Sequence, residues 1–204
     1  MPLRVQEGVP IPVSAEPPPP DLEGGTVGPN LFDTASFGGP LSNKVAVRLF
    51  RQGQLDRLCW AACAMMVLDF LGISAELCEV ASVIKGNQCC NDIFDCNSDC
   101  QAEDVGTVYE EFGVDFGFDD DPVTFDVLKT QINSNKPLEV GISWGPNNGG
   151  HLIVVHGWSV KPHGRFVKIH DPIDGTGEVA FSDLLQHYTE SDGRWTHTWI
   201  GFRV

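Results

Sequence analysis

The hydrophobic pattern divides the chain into a helical first part and a β-rich second part. Residues 58–72 (LCWAACAMMVLDFLG) form a long apolar run that ends in glycine, which predicts a buried helix closed by that glycine. A second helix is predicted over 75–86 (AELCEVASVIKG), with Ser74 as its N-cap. Apolar residues at helical spacing predict two more helices, over 101–112 and 124–134.

The segments that follow are typical of β-strands. VAVRLF (45–50) already alternates like a short strand. After residue 137, turns rich in Gly, Pro and Asn separate five apolar segments, which predict strands over 138–144, 151–160, 165–172, 177–182 and 198–204. Helices followed by strands indicate an α+β fold. We therefore predict a helical half packed on an antiparallel β half, with a cleft between them.

Residues 1–43 lack a helical or strand period that could bury one face, and they contain the proline-rich stretch PIPVSAEPPPP. We predict a disordered tail here, acting as a linker or as a pro-segment, and a globular domain over 44–204. The pairs Gly24-Gly25 and Gly38-Gly39 resemble sites that some thiol peptidases cut. A linker is the simpler interpretation of such composition.

Charge narrows the choice of partners. The 204 residues carry a formal net charge of −15, which argues against binding to nucleic-acid phosphates or to an anionic membrane surface. A peptide or protein substrate, with a preference for basic residues, fits this charge. No run of roughly 18 apolar residues occurs, and the N-terminus lacks the apolar core of a signal peptide, so we expect a soluble protein. Secretion or delivery as an effector is compatible with the chain, and the oligomeric state is left open.

Seven cysteines are many for a cytosolic protein, and their odd number leaves at least one unpaired if the others form disulfides. Cys59 or Cys63 is the expected free thiol. The remaining cysteines, which could pair or stay reduced, are Cys78, Cys89, Cys90, Cys96 and Cys100. Adjacent cysteines suit one tetrahedral ion poorly and no C-x2-C pair occurs, so we predict no metal and no cofactor.

Cys59 is the candidate nucleophile because it begins the first predicted helix. The free N–H groups and the dipole at a helix N-terminus favour a thiolate, which is the attacking form of cysteine. Its own backbone N–H and an upstream glutamine amide can donate hydrogen bonds to an oxyanion. The alternative is a small core cysteine, for which Cys63, one turn further along, is the better candidate.

His151 is the candidate base, since it begins an apolar strand directly after Gly149-Gly150. Asp171 ends the next strand and can hold one imidazole tautomer. His156 lies five positions from His151 and therefore faces the opposite side of the strand, where we expect a packed histidine. His170 should likewise point away from Asp171. The other three histidines are expected at the surface: His163, His187 and His197.

Three segments resemble the papain-like cysteine peptidases, especially the compact bacterial group related to bacteriocin-processing C39-like and effector peptidases. They are Cys59-Trp60-Ala61-Ala62, Gly150-His151 leading into Gly157-Trp158, and Asp171-Pro172. The resemblance covers roughly residues 44–204. It implies a papain-like catalytic domain in which the histidine is general base and acid, the aspartate orients it, and a glutamine completes the oxyanion hole.

The glutamine of such families commonly stands six residues before the nucleophile, where this chain has Gly53. Gln52 and Gln54 flank that position. We favour Gln54 because it is closer to the helix, with Gln52 as the alternative.

The resulting prediction is a cysteine peptidase with a Cys59-His151-Asp171 triad and a thioester acyl-enzyme. Two alternatives stay open. The same acyl-enzyme could serve a glutamine deamidase or a transglutaminase-like acyl transferase of toxin or effector type. A catalytically silent binding module could also retain the fold.

Overall fold

The elements follow the predicted order of helices and then strands. The structure is a computed structural model, and it describes residues 41–145, 149–189 and 192–204. Its helices are α1 (Cys59–Phe70), α2 (Leu77–Lys85), α3 (Ala102–Glu111), α4 (Phe125–Asn133) and α5 (Phe181–Gln186). Its strands are β1 (Ser42–Lys44), β2 (Asp115–Asp119), β3 (Leu138–Ser143), β4 (Gly150–Lys161), β5 (Gly164–Asp171), β6 (Gly175–Ala180) and β7 (Arg194–Arg203).

One sheet contains all seven of these strands. Its order is β2-β7-β3-β4-β5-β6, with β1 paired to β4, and every pairing is antiparallel. β1 approaches β4 closely at Gly157, where an added Cβ would lie 2.8 Å from the carbonyl oxygen of Asn43. The α+β fold with an antiparallel half is therefore confirmed. The first strand includes residues 42 and 43, which the sequence assigned to the tail.

The helix predictions hold with two differences. α1 ends as expected, since its C-cap is Leu71 and Gly72 follows with φ +82°. α2 begins later than predicted and its N-cap is Glu76 instead of Ser74. The Glu76 side chain accepts from the backbone of Glu79, and the Glu79 side chain accepts from the Glu76 N–H at 2.8 Å. This reciprocal capping box satisfies two free donors at once.

The segment 45–50 was predicted as a strand and is not one. Val45 and Val47 are buried, as their alternation suggested. Their carbonyl oxygens, however, accept from histidine side chains, at 3.4 Å from His156 Nδ1 and 3.0 Å from His170 Nε2. We call residues 45–51 the strap.

Two elements were not predicted. β2 is short and contains two aspartates and a glycine, residue types that are depleted in strands. α5 covers a segment that was partly read as the end of a strand, and its Leu184 is fully buried. Both elements owe their conformation to packing against β7 and its neighbours.

The core lies between α1 and the sheet. Trp60, Met66 and Leu68 on α1 are at most 1% exposed, as are Ile153 and Trp158 on β4. Fully burying one such side chain contributes about 1.5–3 kcal/mol. α1 is therefore held firmly across β4, and the first residue of the helix is fixed relative to the first residues of that strand.

Two disulfides restrain the cysteine-rich loop. Cys78–Cys90 fastens the loop to α2, and Cys89–Cys96 closes a link within the loop. Three thiols are free: the two expected candidates, Cys59 and Cys63, and also Cys100. Each disulfide closes a short loop, of 12 and 7 residues along the sequence. Short loops of this kind restrict the unfolded chain and stiffen the segment that leads to Cys100.

A buried carboxyl group lies on β3. Glu139 is fully buried and accepts a hydrogen bond from the Tyr109 hydroxyl, while its Oε1 has no partner among the described residues. Burial raises the pKa of Glu139 to about 8, although the bond from Tyr109 acts to lower it. This carboxyl is consequently neutral at pH 7.

Glu139 makes the free energy of unfolding depend on pH. A carboxyl group whose pKa is raised in the folded state contributes its full stabilisation of the fold below the pKa of the unfolded chain, which is about 4.3. That contribution is lost as pH rises towards the folded-state pKa of about 8. We expect the wild type to lose several kcal/mol more than Glu139→Gln between pH 5 and pH 8.5. Urea unfolding at both pH values measures this difference. Glu110→Gln, at an exposed position, is the control, and equal losses in all three proteins would contradict the expectation.

No helix within the described ranges is long and apolar enough to cross a membrane. The predicted tail, with its two glycine pairs, lies outside the described residues and stays a prediction.

Candidate active site

Cys59 is the first residue of α1, as predicted. The first intrahelical bond runs from Ala62 N to Leu58 O at 3.0 Å. The N–H groups of the first residues of a helix have no partner within the helix, so that of Cys59 is free to donate outwards. Cys59 is 8% exposed and is one of the residues that line a cleft. The candidate nucleophile is thus partly shielded from water but reachable.

His151 and Asp171 lie on neighbouring strands. β4 and β5 pair so that Val154 is opposite His170, which brings the start of β4 to the end of β5. His151 Nε2 lies 2.8 Å from Asp171 Oδ2, and both side chains are buried. The structure brings together the two residues that strand spacing selected.

The charge state of His151 follows from its two neighbours. Burial acts to lower the pKa of His151, but hydrogen bonds to Asp171 and to Cys59 outweigh it and raise the value to about 9. Since Nε2 faces Asp171, the ring nitrogen left for Cys59 is Nδ1. His151 is therefore an imidazolium at neutral pH, placed between a carboxylate and the sulfur.

Asp171 has four hydrogen-bond donors around it. Oδ1 accepts from the backbone N–H groups of Ile173 at 2.7 Å and Asp174 at 3.1 Å. Oδ2 accepts from His151 and from the hydroxyl of Tyr188 at 2.7 Å. Burial acts to raise the pKa of Asp171, but these bonds lower it to about 2. Asp171 is ionised throughout the physiological range. Sequence reasoning missed Tyr188.

The two candidate oxyanion glutamines differ sharply in burial. Gln52 is 3% exposed, whereas Gln54 is exposed to solvent. The backbone N–H of Gln52 donates to Pro172 O at 3.2 Å, and its carbonyl accepts from Leu55 N at 3.1 Å. Gly53, with φ +65°, makes this tight turn possible. Gln54 was preferred because it is closer to the helix in sequence, but its exposed side chain does not support a role in the oxyanion hole.

The cleft runs from Cys59 and His151 between α3 and the sheet. Its volume is about 450 Å³. One wall carries Asp99, Cys100 and Glu103, and the opposite wall carries Gly141, Trp199 and other residues of β3 and β7. A cleft with backbone of β-strands along one wall can accommodate an extended peptide.

His197 lines this cleft and is half-buried, so the expectation of a surface position was wrong for it. It lies on β7 beside Gly141, whose added Cβ would stand 3.2 Å from His197 Cβ. Absence of a side chain at residue 141 leaves room for the His197 ring. His163 and His187 are exposed, as expected.

His156 and His170 lie on the far side of β4 and β5, under the strap. Their rings stack with centroids 4.0 Å apart. Burial, together with the nearby charge of His170, lowers the pKa of His156 to about 4. The expected packed role of His156 is confirmed by its burial, and His170 does point away from Asp171.

The other free thiols are poor nucleophiles. Cys63 is fully buried, its Sγ donates to Leu152 O at 3.1 Å, and burial with the charge of Glu139 raises its pKa. Burial likewise raises the pKa of Cys100 above its usual range. Cys59 is the one free thiol that is hydrogen-bonded to a histidine among the described residues.

Cys78 on α2 and three cysteines of the loop, Cys89, Cys90 and Cys96, are engaged in disulfides and are not available to a metal. Within the described ranges, no group of three or more His, Cys, Asp or Glu side chains has a metal-binding arrangement.

Comparison with known structures identifies the same architecture elsewhere. The chain aligns with a C39-like peptidase from Bacillus anthracis at a TM-score of 0.54 and 13% identity. The match covers 79% of this chain and 98% of the other. The peptidase domain of Streptococcus ComA, a bifunctional ABC transporter involved in quorum sensing, matches at a TM-score of 0.53 and 14% identity. The match covers 77% of this chain and 98% of the other. These likenesses confirm the papain-like fold.

A third similar structure is a double-glycine-motif protease from an AMS/PCAT transporter, solved with its leader peptide. It matches at a TM-score of 0.50 and 16% identity, over 78% of this chain and 93% of the other. No curated protein sequence matches the chain. The model of the Peptidase_C39-like family matches residues 44–198, which include Cys59, His151 and Asp171. The chain therefore belongs to the Peptidase_C39-like family and is a cysteine peptidase.

Proposed function

We propose that the protein hydrolyses peptide bonds through a thioester on Cys59, with His151 as general base and acid and Asp171 as the residue that orients it. The observation that carries this proposal is that Cys59 and His151 line the same cleft, with His151 Nε2 lying 2.8 Å from Asp171 Oδ2. The same spatial arrangement of nucleophile, base and orienting group recurs in unrelated hydrolases.

The chemistry follows from the protonation states. His151 holds the proton of Cys59, and the thiolate attacks the peptide carbonyl carbon. The imidazolium then donates its Nδ1 proton to the leaving amine as the C–N bond breaks. Water, deprotonated by His151, hydrolyses the thioester and releases the new carboxyl group. Asp171 stays ionised and keeps the Nε2 proton in place.

We assign the oxyanion donors to the Cys59 backbone N–H and the Gln52 side chain. Gln52 lies between the Asp171 turn and the start of α1. Its Oε1 is buried without a partner among the described residues, and leaving such an atom unpaired costs about 1–3 kcal/mol. This oxygen is an acceptor, whereas the atom that would serve an oxyanion is the amide nitrogen Nε2, which is a donor. The assignment is supported by the burial of Gln52 beside the segment that leads into α1, while Gln54 is exposed.

Gln52→Ala is expected to lower kcat by about 10²- to 10³-fold with little change in KM, because an oxyanion donor acts mainly in the transition state. Gln54→Ala is the matched control, two residues away at an exposed position, and should keep wild-type kcat. Steady-state kinetics on one peptide substrate decides between them. A larger loss in Gln54→Ala would reverse the assignment.

The cleft also bears on substrate charge. Asp99 and Glu103 lie on one wall, where a cationic peptide side chain would meet them, although Arg57 stands 3.5 Å from Asp99. A preference for basic peptides is part of the proposal.

The function is tested by incubating the purified protein with a mixed peptide library and analysing the products by mass spectrometry. We expect new peptide termini with a gain of one water per cleavage, enriched near Lys and Arg, and absent with Cys59→Ala. Peptides that keep their length but gain about one mass unit, with release of ammonia, would identify a glutamine deamidase and overturn hydrolysis. Unchanged peptides together with an unreactive Cys59 would identify a binding module.

A further inference from the structure

Tyr188 is a buried residue to which the proposed reaction assigns no role. It follows α5 and forms an isolated antiparallel bridge with Gly193, through bonds of 2.8 and 3.0 Å in both directions. A Cβ at residue 193 would lie 2.8 Å from Ile142 Cγ2, so the bridge depends on glycine there. The side chain of Tyr188 is 4% exposed and points at the carboxylate of Asp171.

The Tyr188 hydroxyl donates to Asp171 Oδ2, the same oxygen that accepts from His151 Nε2. The other oxygen is occupied by the two backbone donors at Ile173 and Asp174. A carboxylate has about four acceptor positions, and all four are filled here. Rotation of the carboxylate would break several charge-assisted bonds at once.

Tyr188 is a permanent donor. Burial and the negative charge of Asp171 raise the pKa of Tyr188 above its ordinary value, so the hydroxyl keeps its proton wherever the enzyme is folded. The two backbone donors hold Oδ1 only. Without the hydroxyl, Oδ2 would be held by His151 alone. The position of the Asp171 carboxylate would then depend on His151, which is the residue that Asp171 is proposed to orient.

We propose that Tyr188 is a positioning residue that fixes the Asp171 carboxylate and, through it, the ring of His151 towards Cys59. This inference rests on the triad of the proposed function. Tyr188 is not among the residues that line the cleft, so its effect should appear in the chemical step and not in substrate binding.

The chain contains a matched control. Its only other tyrosine, Tyr109, is also fully buried and also donates to a carboxyl group, that of Glu139. Tyr109→Phe and Tyr188→Phe therefore each remove one hydroxyl that donates to a buried carboxyl group, which is ionised at Asp171 and neutral at Glu139 at pH 7. A purely structural role predicts a loss of melting temperature and no specific loss of activity for both variants.

The experiment compares both variants with the wild type at a temperature where circular dichroism shows all three folded. We expect kcat of Tyr188→Phe to fall about 10- to 100-fold with KM unchanged, because small misplacements of a catalytic group carry losses of that order. Tyr109→Phe should keep wild-type kcat. The rate of Cys59 alkylation by iodoacetamide at pH 8, which needs no substrate, should fall in Tyr188→Phe and stay at the wild-type value in Tyr109→Phe.

Fluorotyrosine incorporated into the intact chain gives a second measurement that does not depend on a folded Tyr188→Phe. Because only two tyrosines are present, Tyr109→Phe assigns the two ¹⁹F signals. The Tyr188 signal should titrate as His151 loses its proton near pH 9 and should stop titrating in His151→Ala.

Wild-type kcat and alkylation rate in a folded Tyr188→Phe would overturn the inference, as would equal losses in both tyrosine variants or a Tyr188 signal indifferent to His151. If the peptide library stays uncut but the alkylation and ¹⁹F effects appear, the proposed hydrolysis fails and the positioning role stands.

Discussion

Cys59→Ala is expected to abolish peptide cleavage and to remove the fast alkylation by iodoacetamide at neutral pH. The Sγ atom is the group that forms the thioester, and no second thiol can replace it. Cys63 is fully buried in the core, and no hydrogen bond joins Cys100 to His151 among the described residues. Loss of the nucleophile in hydrolases of this design costs about 10⁶-fold in kcat.

The controls are Cys63→Ala and Cys100→Ala, which remove the other free thiols one at a time. Both should retain fast labelling, because the reactive thiol is still present. Peptide mapping after alkylation locates the label, which we expect on Cys59. Residual turnover in Cys59→Ala above the level of an empty-vector preparation would be incompatible with Cys59 as nucleophile.

Asp171→Asn is expected to lower kcat by about 10³- to 10⁴-fold, by analogy with the loss of the orienting aspartate in a serine protease triad. An asparagine has one oxygen, whereas the structure presents donors to both Asp171 oxygens. Its NH₂ group would face either the backbone donors or the pair formed by His151 and Tyr188. The asparagine NH₂ group and the donors that it faces would repel each other. This repulsion displaces the imidazole or rotates the amide out of place.

The same substitution should change the pH profile. His151 is protonated up to pH of about 9 partly because Asp171 is negative. Removing that charge lowers the pKa of His151 towards the ordinary value of about 6.5, so the alkaline limb of kcat/KM moves to lower pH. Asp174→Asn, an exposed neighbour with the same change of charge, should leave the limb in place. An unshifted limb in Asp171→Asn would mean that Asp171 does not support the imidazolium.

Much of the triad could be predicted from the sequence because its members sit at ends of regular elements. Cys59 is the first residue of a helix that the apolar run 58–72 predicts, and His151 lies at the beginning of a strand. The two-residue period of a strand separates His151 from His156, and the structure places them on opposite sides of β4. Asp171 ends the adjacent strand. These local signals predicted the positions of the three residues, while their catalytic roles stay a proposal.

The support around the triad depends on long-range packing and could not be predicted in the same way. Tyr188 reaches Asp171 across 17 residues, from a stretch with no regular period. Gln52 and Gln54 differ only through the turn at Gly53, whose positive φ buries one side chain and exposes the other. His197 enters the cleft because Gly141, on another strand, leaves space.

The strap shows how a correct local pattern can give the wrong element. The alternation of Val45 and Val47 correctly identifies the buried positions, but the strand ends at Lys44, and only the N–H of Val45 continues the backbone bonding, to His156 O at 2.8 Å. Two histidine side chains, from β4 and β5, occupy carbonyls that a neighbouring strand would otherwise have used. A hydrogen-bond partner from a distant element decides the conformation here, and no property of residues 45–50 reveals it.

The central claim is that Cys59 carries the acyl group during hydrolysis. The most direct measurement mixes the wild type with a peptide that it cleaves, quenches the reaction with acid during the first turnover, and determines the intact mass and the modified residue. The account predicts an adduct equal to the N-terminal product less one water, located on Cys59 and removed by hydroxylamine, as expected of a thioester. Cleavage that proceeds without such an adduct, and that continues in Cys59→Ala, would contradict it.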